Sequence, residues 1–363
     1  MRFPRVVVVK KQASKKGAPK KASKKNAPKK ATAEAGADGR FSDWKEALKA
    51  PERVEELRLD VKQLPRVTFP STKPLPADIA RLENLRKLEI KARNLGGLCE
   101  ELAELEKLTS LSITNTEEAF DAESLRPLPG LKSLVELELY NVGLTSFVPL
   151  PESLESLSLR ANDRLDVEAW CRELSSLPKL RSLDLAEACR APLPASIGAL
   201  GSLRSLVLSS NGYDRVPDAV LRLTKLERLD LAVNAIRELP REIGALRSLK
   251  WLALQSNAIE TLEPSLGELS ELEVLLLGAN PLRAVPDAII ELKALRVLDL
   301  GECPLSDVPP GLTALPLEQL TIDAPAEVVA ELRARMPACK IVVRTKQDAA
   351  RELEGWLRFF GKR

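Results

Sequence analysis

Between Leu180 and Leu315 the apolar residues return in one order: L-x-x-L-x-L, a short polar stretch, then LP-x-x-I-x-x-L or a close variant. Copies start at Leu180, Leu203, Leu226, Leu249, Leu272 and Leu295, each 23 residues after the last. In Leu229-Asp230-Leu231 the period-two alternation sends both leucines to one side and Asp230 to the other, which predicts a half-buried strand. Further on, Ile243, Leu246 and Leu249 recur every three positions and Pro240 suits a helix start, which predicts a short helical turn. Strand, loop and turn fit inside one period, so the chain reads as a repeat array rather than as a set of globular domains.

Looser copies start at Val54, Leu85, Leu108, Leu134 and Leu154, at intervals of 31, 23, 26 and 20 and then 26 to Leu180, and a partial copy begins at Leu317. About twelve units therefore span residues 54–322. The pattern resembles the leucine-rich repeat superfamily, on LERLDLAVNAIRELPREIGALRS from Leu226 and LKWLALQSNAIETLEPSLGELSE from Leu249. Its LP-x-x-I-x-x-L portion is similar to the intracellular Ras-group and disease-resistance-like 23-residue subclass. The resemblance implies an α/β solenoid, a horseshoe with a concave parallel β-sheet and short α or 3-10 helices on the convex side. It also implies an interaction protein rather than an enzyme.

The eighth residue after each start forms a second ladder: Asn162, Asn211, Asn234, Asn257 and Asn280, with Cys303 as a tolerated replacement. A buried Asn there can bond backbone groups that a tight bend would orphan, which makes the ladder structural. Arg93, Thr116, Val142 and Ala188 depart from it, so the stretch before Leu180 is the irregular half.

Residues 1–40 read as a disordered basic tail rich in Lys, Ala, Pro and Ser, and residues 41–53 as a capping helix with Ser42 as its N-cap, covering the first repeat through Trp44 and Leu48. Residues 323–346 read as a helix-and-strand cap on the last repeat. In 347–363, Leu353, Trp356, Leu357 and Phe360 share one face of an amphipathic helix, expected to pack on that cap, with partner docking as the alternative.

Charge sharpens the division. Residues 1–30 hold 12 Lys or Arg and no acid, leaving 43 basic against 52 acidic residues in the remainder. The lysine pairs Lys10–Lys11, Lys15–Lys16, Lys20–Lys21, Lys24–Lys25 and Lys29–Lys30 give the tail affinity for nucleic acid or another polyanion through counter-ion release, without sequence readout. A merely solvating tail is the alternative.

Histidine is absent, which removes the commonest general base and the favourite zinc ligand. The five cysteines are far apart and form no C-x-x-C pair, so they read as reduced thiols, with no metal site and no cofactor expected. No phosphate-binding loop, kinase signature or H-E-x-x-H occurs. Asp184, Glu187, Asp230 and Asp299 share a face, but evenly spaced acids on a repeat surface are usually solvated. The apolar run Val6–Val9 is shorter than an export or membrane segment requires, and the reading is a cytoplasmic monomer.

If the second, fourth, sixth and seventh residues after each start face the concave side, Trp251, Val274, Leu276 and Val297 form one apolar cluster across neighbouring strands. Ala253 and Gln255 accompany it, and Arg228, Asp230, Asp299 and Glu302 rim it. An exposed aromatic among aliphatics within a charged rim has the composition of a protein-binding hot spot. Upstream, Lys87, Glu89, Lys91, Glu136, Glu138, Tyr140 and Arg160 suit a charged rim or a second contact. The expected function is a scaffold for protein–protein interaction on this face, with signalling as its setting. The alternative is a nucleic-acid-associated protein that binds through its tail and recruits a protein partner through the repeats.

Overall fold

The computed structural model describes residues 38–60, 74–91, 95–114, 120–189, 192–306 and 308–343. Among them one open sheet carries fourteen strands, all parallel and paired in chain order. The first half holds β1 (Arg40–Phe41), β2 (Glu56–Asp60), β3 (Lys87–Lys91), β4 (Ser110–Thr114), β5 (Glu136–Tyr140), β6 (Ser156–Ser158) and β7 (Ser182–Asp184). The second holds β8 (Ser205–Val207), β9 (Arg228–Asp230), β10 (Trp251–Ala253), β11 (Val274–Leu276), β12 (Val297–Leu300), β13 (Gln319–Ile322) and β14 (Lys340–Val343). From β2 to β13 every strand begins two residues after a repeat start, and equivalent residues pair, as in Leu229 with Leu252 and Leu275 with Leu298.

The leucines of each L-x-x-L-x-L stack on those of the next repeat and are sealed from water, so one core runs along the array. Each repeat alone has too little apolar surface to bury; stacking supplies it. The return segments are mostly single 3-10 turns, such as Arg241–Ala245, Pro264–Glu268 and Asp287–Glu291. Pro240 stands extended immediately before the first of these, and Ile243 points from it into the core. The α-helices are fewer: α1 (Trp44–Lys49), α2 (Val167–Leu174) and α3 (Ala326–Arg335).

Two local expectations at the N-terminal side change. Helix α1 is capped by Asp43, whose carboxylate accepts the Glu46 N–H at 3.0 Å, so Ser42 lies outside the cap. An ionised acceptor at the positive helix end is worth more than a hydroxyl there. Arg40, at the tail's expected limit, is already in β1, and the buried Phe41 joins the core. Trp44 is also buried in that core, with Leu48 packed against it. At the other end α3 and β14 follow the last repeat, and β14 pairs with β13. The tail lysines, Arg93, Thr116 and the helix expected over 347–363 lie outside the described residues.

Candidate functional site

The leucines occupy one face of the sheet, so the residues second and fourth after each start lie on the other. Along β4 to β8 this second face is half-buried or exposed and mostly polar: Ser110 and Ser112, Glu136 and Glu138, Ser156 and Ser158, then Ser182, Asp184 and Ser205, with Val207 of β8 an apolar exception. On β3, Glu89 is held between Lys87 at 3.0 Å and Arg58 of β2 at 2.9 Å. Arg160 pairs with Glu187 at 2.7 Å.

From β9 onward the character changes. Trp251, Ala253, Val274, Leu276 and Val297 meet in an apolar cluster separate from the leucine core. Strand register produces it directly, since Trp251 pairs with Val274 and Val274 with Val297, while Ala253 pairs with Leu276. The cluster is not the exposed patch that its position suggests, however. Trp251 is 7% exposed, Val297 8% and Ala253 0%. The charged rim is altered in the same way. Arg228 lies over the indole of Trp251, 3.7 Å from the ring centroid, where its cation meets the negative ring face. Asp230 is buried, and that burial pushes its carboxyl above the usual range despite the neighbouring Arg228. Desolvation also raises Asp184 and lowers Arg228. Gln255 is buried as well, and both its amide atoms and the Trp251 Nε1 lack a hydrogen-bond partner among the described residues.

Asp184, Asp230 and Asp299 do a local job that the concave-position reading missed. Each accepts the backbone N–H two residues on, from Ala186 at 2.9 Å, Ala232 at 3.0 Å and Gly301 at 2.9 Å. The signal was the recurrent Leu-Asp-Leu, because an Asp side chain readily closes a turn onto its own backbone. Glu302, the last of the rim residues, belongs to another series. It and Asn141, Ala161, Glu187, Ser210, Val233, Ser256 and Ala279 all stand seventh after a start, with φ between 51° and 60°. This left-handed turn leads directly into the ladder position. Only Asn141 is a residue type that favours it, so composition concealed the series.

The ladder side chains bridge successive repeats. Asn280 donates to the carbonyls of Leu254 at 2.9 Å and Leu277 at 2.7 Å, and accepts the Ile259 N–H at 3.0 Å. Asn162 serves the preceding repeat likewise, accepting from Val142 and Leu144 and donating to Leu139. Asn211 takes the N–H groups of Ala188 and Cys189, Asn234 those of Asn211 and Tyr213, and Asn257 that of Ile236. The N–H groups at the departures Val142 and Ala188 are thus taken by the Asn of the repeat that follows. Cys303 retains one such link, its thiol meeting the Leu277 carbonyl at 3.4 Å. All five cysteines are free. Burial raises the thiols of Cys99, Cys189 and Cys303 to about 11 and that of Cys171 to about 12, which favours the protonated form at neutral pH. Among the described residues no group of three or more Cys, Asp or Glu is placed to hold a metal ion, and no helix is long and apolar enough to cross a membrane.

A parallel sheet built from 23-residue units, a leucine core and an Asn ladder define a class. The family model described as leucine rich repeat matches residues 201–259 and 247–305. A leucine-rich-repeat protein of Leptospira interrogans is similar in structure at 25% identity and a TM-score of 0.57, over 84% of this chain and 99% of that one. An internalin of Listeria monocytogenes is similar at 18% identity and a TM-score of 0.50, covering 85% of this chain and 86% of its own. The ectodomain of the Arabidopsis thaliana receptor kinase GASSHO1/SCHENGEN3, solved in complex with Casparian strip integrity factor 2, shares 22% identity at a TM-score of 0.52. That match covers 80% of this chain and 38% of the ectodomain. No curated protein matches the sequence. Residues 201–305 match the leucine rich repeat model, and the sheet of the chain has the fold of these leucine-rich-repeat proteins. Proteins of this fold generally mediate protein–protein interaction.

Proposed function

We propose that the chain is a non-enzymatic scaffold that binds a protein partner on the second face of its sheet, with β9 to β12 as the anchor and the polar strands β3 to β8 as the flank. One observation carries this reading. The side chains of that face are free of duty to the leucine core, yet on adjacent strands they assemble an aromatic-centred apolar cluster with Arg228 stacked on Trp251. Tryptophan and arginine are the residues most often found to carry binding energy at interfaces. A face fixed by strand pairing also loses little entropy when a partner lands on it.

Cross-linking capture with the wild-type chain, Trp251→Arg and Glu136→Lys/Glu138→Lys tests the reading, with thermal unfolding followed in parallel. Trp251→Arg is expected to lose the partner. The double charge reversal is expected to weaken capture at least tenfold while leaving the fold intact, because Glu136 and Glu138 are exposed. Undiminished capture by both folded variants overturns the proposal. The lysine pairs of residues 10–30 support a second reading, contact with a polyanion, on charge alone. Unchanged DNA retention at low and moderate salt after removal of residues 1–33 rules that out.

A further inference from the structure

The ladder asparagines make similar bonds but differ in the residue that follows them. Asn162 precedes Asp163, Asn234 and Asn257 precede Ala235 and Ala258, Asn280 precedes Pro281, and Asn211 alone precedes a glycine. An asparagine amide can be attacked by the backbone nitrogen of the next residue, and glycine, with no Cβ, lets that nitrogen approach closely. Gly212 is exposed, stands at φ 76° with nothing within 4 Å of where a Cβ would lie, and its N–H donates to no described residue. The attacking nitrogen is therefore free. The amide it would attack is held: Asn211 Oδ1 accepts the N–H groups of Ala188 at 3.0 Å and Cys189 at 2.8 Å, and Nδ2 donates to the carbonyls of Leu185 at 2.9 Å and Leu208 at 3.1 Å. That hold is thin on one side. The Leu208, Leu231 and Leu254 carbonyls each receive two asparagine amides. Ala188 stands where the repeat from Leu180 would carry its own asparagine, so the Leu185 carbonyl receives the amide of Asn211 alone.

We propose that Asn211 is a modification site, where the side-chain amide cyclises onto the Gly212 nitrogen when this rung opens and ends as aspartate or isoaspartate. The Gly212 nitrogen loses its proton and bonds to Asn211 Cγ, the Cγ–Nδ2 bond breaks, and Nδ2 leaves as ammonia carrying that proton. Water then opens the cyclic imide. Cleavage between Cγ and the Gly212 nitrogen gives aspartate, and cleavage between that nitrogen and the main-chain carbonyl carbon of Asn211 gives isoaspartate. In the closed rung the amide is held by four bonds, so the reaction waits on local opening and its rate follows the open population. Modification makes the opening permanent. The Nδ2 donor becomes an anionic oxygen facing the Leu185 and Leu208 carbonyls. Each carbonyl keeps one other donor, the Ala188 N–H at 3.3 Å and Asn234 Nδ2 at 3.1 Å, so the damage is repulsion rather than a lost partner. Isoaspartate also routes the main chain through the former side chain, which draws the Tyr213 N–H away from Asn234 Oδ1, its acceptor at 3.1 Å. Because each repeat contacts only its neighbours, the effect falls on the junction of β7 and β8. None of this depends on what the second face binds.

Timed incubation of the folded full chain in mildly alkaline buffer, read peptide by peptide by mass spectrometry, tests the proposal, with the same incubation in urea as the reference. The folded chain is expected to convert at Asn211 at least tenfold faster than at Asn234 or Asn257, and at least tenfold more slowly than the unfolded chain. Asn234→Ala removes the acceptor of the Asn211 and Tyr213 N–H groups and leaves the Asn211–Gly212 pair intact. It should speed conversion of the folded chain several-fold and leave the rate in urea unchanged. Gly212→Asn, a residue type that also adopts the left-handed turn, should suppress conversion at position 211 in both states. No detectable conversion of the folded chain while the unfolded chain reacts completely overturns the proposal, as does conversion at Asn234 or Asn257 as fast as at Asn211. Equal rates with and without urea overturn the dependence on opening. Asn211→Asp, which reproduces one product, should speed hydrogen exchange at the Ala188 and Cys189 amides at least tenfold while the repeat from Leu272 keeps its rates. Unchanged exchange at Ala188 and Cys189 overturns the uncoupling of β7 from β8.

Discussion

Removal of one ladder amide gives the sharpest test of what holds the repeats together. Asn280 is 2% exposed and satisfies the Leu254 and Leu277 carbonyls and the Ile259 N–H at once. Asn280→Ala leaves the buried Ile259 N–H without its acceptor, the Leu277 carbonyl with only the weak Cys303 thiol and the Leu254 carbonyl with only Asn257, and a buried group left unsatisfied costs about 1–3 kcal/mol. The expected loss is therefore about 2–4 kcal/mol, a large share of the stability of an ordinary domain. Asn257→Ala is the control. Its amide bonds the Leu231 and Leu254 carbonyls and accepts the Ile236 N–H at similar distances, but the side chain is only half-buried and water can replace it. The control should cost about 1–2 kcal/mol. Urea unfolding followed by circular dichroism compares the two. Hydrogen exchange at the Ile259 amide localises the effect, which matters because repeat arrays open piecewise. If Asn280→Ala costs less than about 1 kcal/mol, or no more than the control, buried backbone satisfaction is not what the ladder supplies.

Three further outcomes follow from individual residues. A Cβ added at Gly267 would stand 2.6 Å from the Ala288 carbonyl, so Gly267→Ala should lower stability by about 2 kcal/mol in chemical denaturation, and a neutral result would refute the tight packing of these turns. Val233 is β-branched, 48% exposed and held at φ 56°; Val233→Asn should raise the thermal midpoint through about 1 kcal/mol of relieved strain, and a fall would contradict this. Burial raises the folded carboxyl of Asp230 above its ordinary 3.8, so its stabilising contribution is complete below about pH 4 and is lost as pH rises through the folded value. Asp230→Asn, which keeps an acceptor for Ala232, should thus gain on the wild type between pH 4 and pH 7; a stability gap that does not vary with pH rejects the assignment.

The spacing of leucines was enough to place β2 to β13, because period-two alternation and a constant start position leave the strand register no freedom. It also placed Trp251, Val274, Leu276 and Val297 in one cluster. The state of that cluster was not legible. Whether a side chain on the second face meets water depends on what lies above the sheet, and no periodicity encodes that. The left-handed turn at the seventh position was hidden for another reason: Val233, Ala279 and Glu302 adopt it because the ladder and the strand pairing on either side enforce it against their own preference. The cap of α1 was misplaced by one residue because Ser42 and Asp43 both suit the role, and only the ionised side chain is used.

The unequal repeat lengths bear on function through the register. Starts 20, 26 or 31 residues apart still give strands that pair at equivalent positions, so added or missing residues are taken up between strands. In the 26-residue unit from Leu154 the addition becomes α2, capped by Asp166, with Trp170 sunk in the core and edge-on to Phe147 at 5.1 Å. In the 20-residue unit from Leu134 no helical turn stands between β5 and β6. Length variation therefore acts on the return side of the array and leaves the columns of the second face aligned. A substitution at the second or fourth position of one repeat changes one element of a continuous surface without shifting its neighbours. Polar strands can consequently adjoin the apolar cluster in a single sheet, and the cluster stays contiguous because β10, β11 and β12 carry large residues at matching positions.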